Sequence, residues 1–416
     1  MSELHDIAIV GGGMVGASLA VALDGLGLKI ALIEAVPHDS ATQPSFDERT
    51  TALSNGSRRI LETLGVWRAV ESAATPIRRI HVSDQGRFGF ARIDAAEQGL
   101  AAMGYVLPNR ALGAALWAPL ASRGAVRLHC PAEVRRVTAT GDAVELAIAP
   151  GGGAETTLAA RLVVAADGAQ SQVRAAFGIA ADVRDYDQTA VITAVLPQRF
   201  HDHVAYERFT ESGPLALLPL ADGRCTLVLT LNPVAAAAAM AWSDAEFLAE
   251  VQRRFGFRLG RFLKAGRRVA YPLSLTRAER TSAGRCVIIG NAAQGLHPVA
   301  GMGFNLGLRD VACLAEVLAA HVGAAAGGRA DLVDRDPADP RVLAEYDAWR
   351  SADRGGIIAF TDGLVRMFAN PLGAVRRLRN LGLLAFDVLP PAKAALSRLS
   401  TGAAGRVPKL ARGVPL

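Results

Sequence analysis

The chain has 416 residues, 51% of them hydrophobic and 20% charged, with 42 Gly and 20 Pro. That length carries two or three domains and enough apolar material for a large core, which excludes a disordered chain. The net charge of +6 gathers at one end: from Asp362 onward nine Lys/Arg stand against Asp362 and Asp387, leaving the rest near neutral, so no nucleic-acid partner is expected.

In chain order, residues 6–10 form an apolar run that ends in Gly11-Gly12-Gly13-Met14-Val15-Gly16. Val15, Leu19, Ala22 and Leu26 then recur at helical spacing, and residues 29–33 form a second apolar run closing on Glu34. This reads as strand, helix, strand. Residues 54–64 read as a helix, and 80–93 and 125–146 as short strands parted by turns such as Gly141-Asp142. Gly151-Gly152-Gly153 reads as a hairpin tip, and residues 162–166 as a buried strand ending at Asp167-Gly168. Residues 190–231 are strand-like, with turns at Ser212-Gly213-Pro214 and Asp222-Gly223; residues 285–289 form a third buried strand ending at Gly290-Asn291. A long helix is predicted from near Gly303, a polar loop over 323–340, and helices over 341–398 broken at Asn370-Pro371 and Pro390-Pro391.

Cys130, Cys225, Cys286 and Cys313 form no CxxC and have no close histidine set, so neither a disulfide scaffold nor a metal site is expected. The apolar stretches 8–23, 215–220 and 234–242 fall below the ~20 residues of a membrane span. Glu3 and Asp6 sit where a signal peptide is basic, so a cytoplasmic location is expected.

Gly11, Gly13 and Gly16 spell GxGxxG between a strand and a helix, and Glu34 follows 18 residues after Gly16. The first glycine permits a tight turn, the second lets backbone approach a pyrophosphate, and the third lets helix pack on sheet. Glu34 is placed to accept hydrogen bonds from an adenosine ribose. This signature leaves NAD and FAD open.

Two further segments narrow the choice. The first is residues 162–174, with Asp167-Gly168, then Ser171 and Arg174. The second begins Gly290-Asn291-Ala292-Ala293-Gln294 and continues through His297-Pro298 and Gly301-Met302-Gly303-Phe304-Asn305-Leu306-Gly307 to Asp310. With the Gly-rich turn, they resemble in order and spacing the fingerprints of the flavoprotein aromatic hydroxylases of the para-hydroxybenzoate hydroxylase fold. Residues 290–310 are similar to the ubiquinone-biosynthesis hydroxylases, closest to the 2-polyprenyl-6-methoxyphenol hydroxylase (UbiH-type) branch. Glu207-Arg208-Phe209-Thr210 with Gly213-Pro214-Leu215, and Asp362-Gly363-Leu364-Val365-Arg366, are also similar to that branch.

The resemblance implies an α/β fold: a Rossmann-like FAD-binding domain with an inserted β-rich substrate domain and C-terminal helices. The FAD-binding domain is expected over 1–75, 101–180 and 276–370, the substrate domain over 76–100 and 181–275, and a basic helical tail over 371–416. It implies an FAD-dependent monooxygenase that hydroxylates a prenylated phenol in ubiquinone biosynthesis through a flavin C4a-hydroperoxide, with NADPH or NADH as co-substrate and O₂. No Ser/His/Asp or Cys/His set is recognisable, which suits chemistry run by a cofactor.

Residue by residue, the resemblance assigns Gly11, Gly13, Met14, Val15, Gly16, Glu34 and Val134 to the cofactor. It gives Arg49 to the pyrophosphate, Arg110 to the flavin side, and Asp167 to both FAD and the nicotinamide nucleotide. Asn291, where most of the superfamily has Asp, is expected near the ribityl chain; it still accepts a hydrogen bond but removes a charge. Gly301, Met302, Gly303, Phe304 and Asn305 present a helix N-terminus to the flavin N1 and O2 edge, where its dipole and free donors stabilise a reduced, anionic ring. Pro298 and His297 are the catalytic candidates. By the resemblance Pro298 lines the substrate pocket and offers its carbonyl near the reacting ring, and His297 is either a polar group of that pocket or a structural histidine.

The tail over 380–416 is expected either to meet anionic lipid or a biosynthetic partner, giving a position peripheral to the inner membrane, or to be a solvated basic helix with a frayed end. The rival readings are a prenyl reductase, a hydroxylase of a simple aromatic acid, a non-catalytic flavoprotein subunit and a nicotinamide-only dehydrogenase.

Overall fold

The computed structural model describes residues 3–47, 49–124, 126–298, 301–326, 336–369, 382, 387, 389–402 and 404–416. Five strands form a parallel sheet in the order Cys286–Ile288, Thr156–Ala165, Leu4–Val10, Ile30–Ile33, Val126–His129. Residues 7–10, 30–33, 162–165 and 286–288 of these strands are aliphatic or small and buried, as a parallel sheet between helical layers requires. A hairpin, Ala132–Ala139 and Val144–Pro150, pairs antiparallel onto Thr156–Ala165. One core lies against the helices Met14–Leu23, Asn109–Arg123 and Met302–Ala326, and a second lies on the opposite face.

Register decides where the motifs meet. Val10 is level with Ala165 and Ile33, and Ala165 is level with Ile288. Gly11, Glu34, Asp167 and Gly290 therefore leave the carboxyl edge of one sheet, where open α/β sheets bind ligands.

A second, mostly antiparallel sheet orders Gln294–Gly295, Val269–Ala278, Ala181–Pro197, Cys225–Leu231, Gly213–Pro219, Val204–Thr210, Arg79–Asp84 and Phe90–Asp94, with Phe262–Ala265 also on Ala181–Pro197. One face of it is closed by the helices Pro233–Ala241 and Asp244–Phe255. These helices stand within the stretch expected to be β-rich. Asn232 caps the first by accepting from the Ala235 N–H at 2.8 Å, with Pro233 at its first position, and Ser243 and Glu246 form a capping box on the second. The other face meets a small sheet of Thr50–Ser54, Gly104–Pro108 and Thr75–Ile77: Thr50 and Thr226 hydroxyls bond at 2.9 Å, and Ala205 and Leu218 pack with Ala52, Met103 and Val106.

The helix from Met302 runs to Ala326, overrunning the loop expected from Gly323, because alanines after that glycine sustain the helix. Residues 327–335 of that loop lie outside the described residues, as do Glu48 and, in the tail, Arg376, Arg377 and Arg379. The chain end is not frayed. Leu410 and Ala411 are buried, the Thr63 hydroxyl donates to the Leu410 carbonyl at 3.0 Å, and Arg309 donates to the carbonyls of Gly402, Ala404 and Arg406. Lys393 pairs with Asp387 at 3.0 Å, and Arg406 lies over the Trp349 ring at 3.7 Å. No helix of the described residues is long and apolar enough to cross a membrane.

Candidate functional site

The Gly-rich turn is sterically obligatory. Gly11 has φ +100°, and a Cβ on it would lie 2.5 Å from the Ala166 carbonyl oxygen; a Cβ on Gly16 would lie 1.8 Å from the Gly11 carbonyl oxygen. Only with both glycines can the Met14–Leu23 helix, which carries Met14 and Val15 in its first turn, sit so close to the sheet. Glu34 is nearly buried, and its carboxylate accepts from the Gly12 N–H at 2.6 Å, the Val36 N–H at 2.8 Å and the Gln43 amide at 3.3 Å. Its Oε2 takes one of these bonds and keeps a lone pair for a ribose hydroxyl. Trp117, on the Asn109–Arg123 helix, donates to the Gly12 carbonyl at 3.0 Å and stacks on His38 at 4.8 Å.

At Asp167, Oδ2 accepts from the Val173 N–H at 3.3 Å, while Oδ1 is buried with no protein partner. Burial raises its carboxyl above the usual range. An orphaned buried acceptor at the edge where the phosphates would lie is what a missing hydroxyl-bearing ligand leaves behind. Arg174 joins this motif to the third by donating to the carbonyls of Ala169 at 3.0 Å and Ala292 at 2.8 Å.

In the third motif, Asp310 accepts from the Gly290 N–H at 2.9 Å and the Gln294 amide at 2.5 Å, and pairs with Arg350 at 2.7 Å. Asp310 and Arg350 are both fully buried, and Arg350 also bonds Asp353. Asn291 stands exposed on the turn so held. At the start of the Met302–Ala326 helix, the Asn305 amide donates to the Gly301 carbonyl at 2.7 Å and the Ala52 carbonyl at 2.8 Å, and its oxygen accepts from the Ser54 N–H at 2.8 Å. The side chain of Asn305 thus fixes the helix start to the small sheet. Met302 is buried, Phe304 packs on the parallel-sheet core, and a Cβ on Gly303 would meet open space. The backbone donors of this first turn face no protein acceptor within the helix.

Arg49 bonds Asp47 at 2.5 Å and the Pro44 carbonyl at 2.7 Å and lies 4.4 Å over the Tyr271 ring, at the seam between the two large sheets. Arg110 is exposed in the first turn of the Asn109–Arg123 helix; its buried neighbour Asn109 accepts from the Thr51 hydroxyl at 2.7 Å. Val134 sits opposite Ile148 at a bulge, in a strand whose first residue, Ala132, donates to the Glu34 carbonyl at 2.8 Å. His297 is 1% exposed, contacts Gln188 at 3.2 Å and the Tyr186 ring edge-on at 5.2 Å, and burial pushes its pKa down to about 4. Its ring is therefore neutral at pH 7. Pro298 beside it is exposed.

These positions fit a dinucleotide running from Glu34 across the Gly11 turn to the Gly301–Asn305 helix start. Trp117 and Arg350 brace these elements from outside the three motifs, while Arg174 and Asp310 brace them from within. Asp310 was legible as a motif letter, and Arg174 as the end of the Asp-Gly segment; Trp117 and Arg350 carry no local signal.

Comparison with known proteins agrees with this geometry. Residues 5–336 match the FAD binding domain family. The chain is 38% identical to ubiquinone hydroxylase UbiL of Rhodospirillum rubrum (strain ATCC 11170), covering all of this chain and 94% of that one. It is 35% identical to 3-demethoxyubiquinol 3-hydroxylase of Escherichia coli (strain K12), covering 92% and 94%. Its fold matches p-nitrophenol 4-monooxygenase PnpA from Pseudomonas putida DLL-E4 with a TM-score of 0.77 at 20% identity, over 97% of this chain and all of the other. The chain belongs to the FAD-binding monooxygenase family, among its ubiquinone hydroxylases, and is an FAD-dependent enzyme.

Proposed function

We propose that the protein hydroxylates the ring of a prenylated phenol in ubiquinone biosynthesis, taking electrons from NADH or NADPH and oxygen from O₂. The observation that supports this most is a row on the second sheet's other face, next to the residues that pack on the small sheet. Val82, Ala216, Val228, Ile192 and Val269, with Glu207 between the first two, form one half-buried row across six strands, while alternate residues such as Val191, Leu217 and Leu227 are sealed against helices. A half-open aliphatic wall turned toward the cofactor domain suits an aromatic ring bearing an apolar tail.

Bound FAD supplies the redox chemistry, passing two electrons from the nicotinamide to O₂, so that one oxygen atom enters the ring and the other leaves as water. The chain's own residues bind, orient and enclose. Gly11, Gly13, Met14, Val15, Gly16, Glu34 and Val134 would hold the adenosine and phosphate half, with Arg49 at the pyrophosphate. Asp167 and Asn291 would hold the middle of the cofactor, and residues 301–305, with Arg110, its flavin end. The helix dipole at residues 302–305 favours negative charge on the ring there. His297, neutral and buried, and Pro298 would border the substrate ring. Residues 1–75, 101–180 and 276–370 would act as the cofactor unit, 76–100 and 181–275 as the substrate unit. The basic tail over 371–416 would meet anionic lipid or a biosynthetic partner, where an apolar substrate is collected, and place the enzyme at the inner membrane surface.

The test is the absorption spectrum of the protein reconstituted with FAD. Oxidised-flavin bands that NADH or NADPH bleaches without oxygen and air restores, with oxygen uptake stimulated by 2-prenylphenol and a hydroxylated product, are expected. Nicotinamide oxidation with no product from any phenol would overturn the reading.

A further inference from the structure

One carboxylate interrupts the aliphatic wall. Glu207 lies in the same cross-strand row, between Val82 and Ala216. Its neighbour Arg208 turns to the opposite face, donating to the Arg254 carbonyl at 2.9 Å and contacting Ser83. Two residues before Glu207, Ala205 packs with Ala52, Met103 and Val106, so this face looks at the cofactor unit.

Three facts set Glu207 apart. Its carboxylate makes no hydrogen bond or ion pair among the described residues, while most other deep carboxylates of the chain are paired. It keeps accessible surface, yet burial alone pushes its carboxyl up to about 7. The aliphatic neighbours Val82 and Ala216 on either side of it supply that desolvation. An unpaired carboxyl in an apolar wall costs stability, so its natural counterpart is a polar group brought by a ligand.

We propose that Glu207 anchors the substrate by accepting a hydrogen bond from a ring hydroxyl, while the aliphatic row beside it takes the apolar tail. The hydroxyl is then fixed at one point of the wall, which sets the carbon of the ring that faces the flavin. This inference rests on the prenylphenol reading and adds its recognition element. Such a bond to a buried carboxyl discriminates a phenol from its deoxy counterpart by about 10- to 100-fold.

The experiment titrates the FAD-loaded protein with 2-prenylphenol and with prenylbenzene, following the flavin difference spectrum, for the wild type, Glu207→Gln and Glu207→Leu. The expected wild-type preference for the phenol is at least ~10-fold. Glu207→Leu should bring the two probes within about 2-fold, with a melting temperature at or above that of the wild type, since an unpaired carboxyl has been removed. Glu207→Gln, which keeps an acceptor, should retain an intermediate preference. A Glu207→Leu protein that still prefers the phenol, or a wild type that binds both probes equally, overturns the anchor and leaves the substrate class standing. A flavin-loaded wild type that binds neither probe overturns the substrate class and the anchor with it.

Discussion

Gly16 shows how much one hydrogen can decide. Its α-hydrogen faces the Gly11 carbonyl where a methyl would sit at 1.8 Å, so Gly16→Ala must push the Met14–Leu23 helix off the sheet. The expected cost is about 1–3 kcal/mol or more, with loss of bound flavin; thermal melting and flavin content after purification check both. At the same scale, His81 and His297 are held neutral. Burial, aided at His81 by Arg258, Arg92 and Arg208, lowers each to about 4. Both therefore bind fewer protons folded than unfolded. Their contribution is fully present above the unfolded value of about 6.5 and is lost as pH falls from there to about 4, roughly 3 kcal/mol for each. Melting temperature against pH should fall across that window, and His81→Phe should flatten the fall; an unchanged slope would refute the assignment.

Among elements, the third motif is held from below. Asp310 collects the Gly290 N–H, the Gln294 amide and Arg350, so the turn bearing Asn291 is fixed by a residue 20 positions later and a guanidinium on another helix. Asp310→Asn leaves Arg350, at 0% exposure, with Asp353 as its one remaining carboxylate partner among the described residues, and should cost about 1–3 kcal/mol in urea unfolding. Replacing both with apolar residues should recover part of that loss, which a double-mutant cycle measures. The motif letters Gly290, Asn291 and Asp310 were readable in the chain. That Asp310 holds the turn while paired with Arg350 was not, because the guanidinium is brought to it only by the packing of two long helices. Asn305 repeats the lesson: its spacing marks a helix start, while the strand it ties down lies some 250 residues earlier.

At the scale of the whole molecule, the C-terminal segment packs onto the Asn55–Thr63 and Met302–Ala326 helices. Arg309 spends its guanidinium on three carbonyls of residues 402–406, and Leu410 packs under the Asn55–Thr63 helix. Truncation after Thr401 should therefore lower stability by more than about 3 kcal/mol, seen as a fall in melting temperature, because a nearly buried cation loses acceptors. The parallel sheet and the three motifs at its edge were legible in the chain, since short aliphatic runs ending in Gly or Asp-Gly carry their own local physics, while the choice of FAD over NAD came from the family resemblance. It also marked the letters around Glu207. Packing alone leaves Glu207 without a partner among the described residues, sets Trp117 on the Gly12 carbonyl and Arg350 on Asp310, and folds residues 402–412 back onto the Met302–Ala326 helix. Each of these depends on which face of a sheet or helix meets a distant partner, and strand alternation offers both faces until packing chooses one.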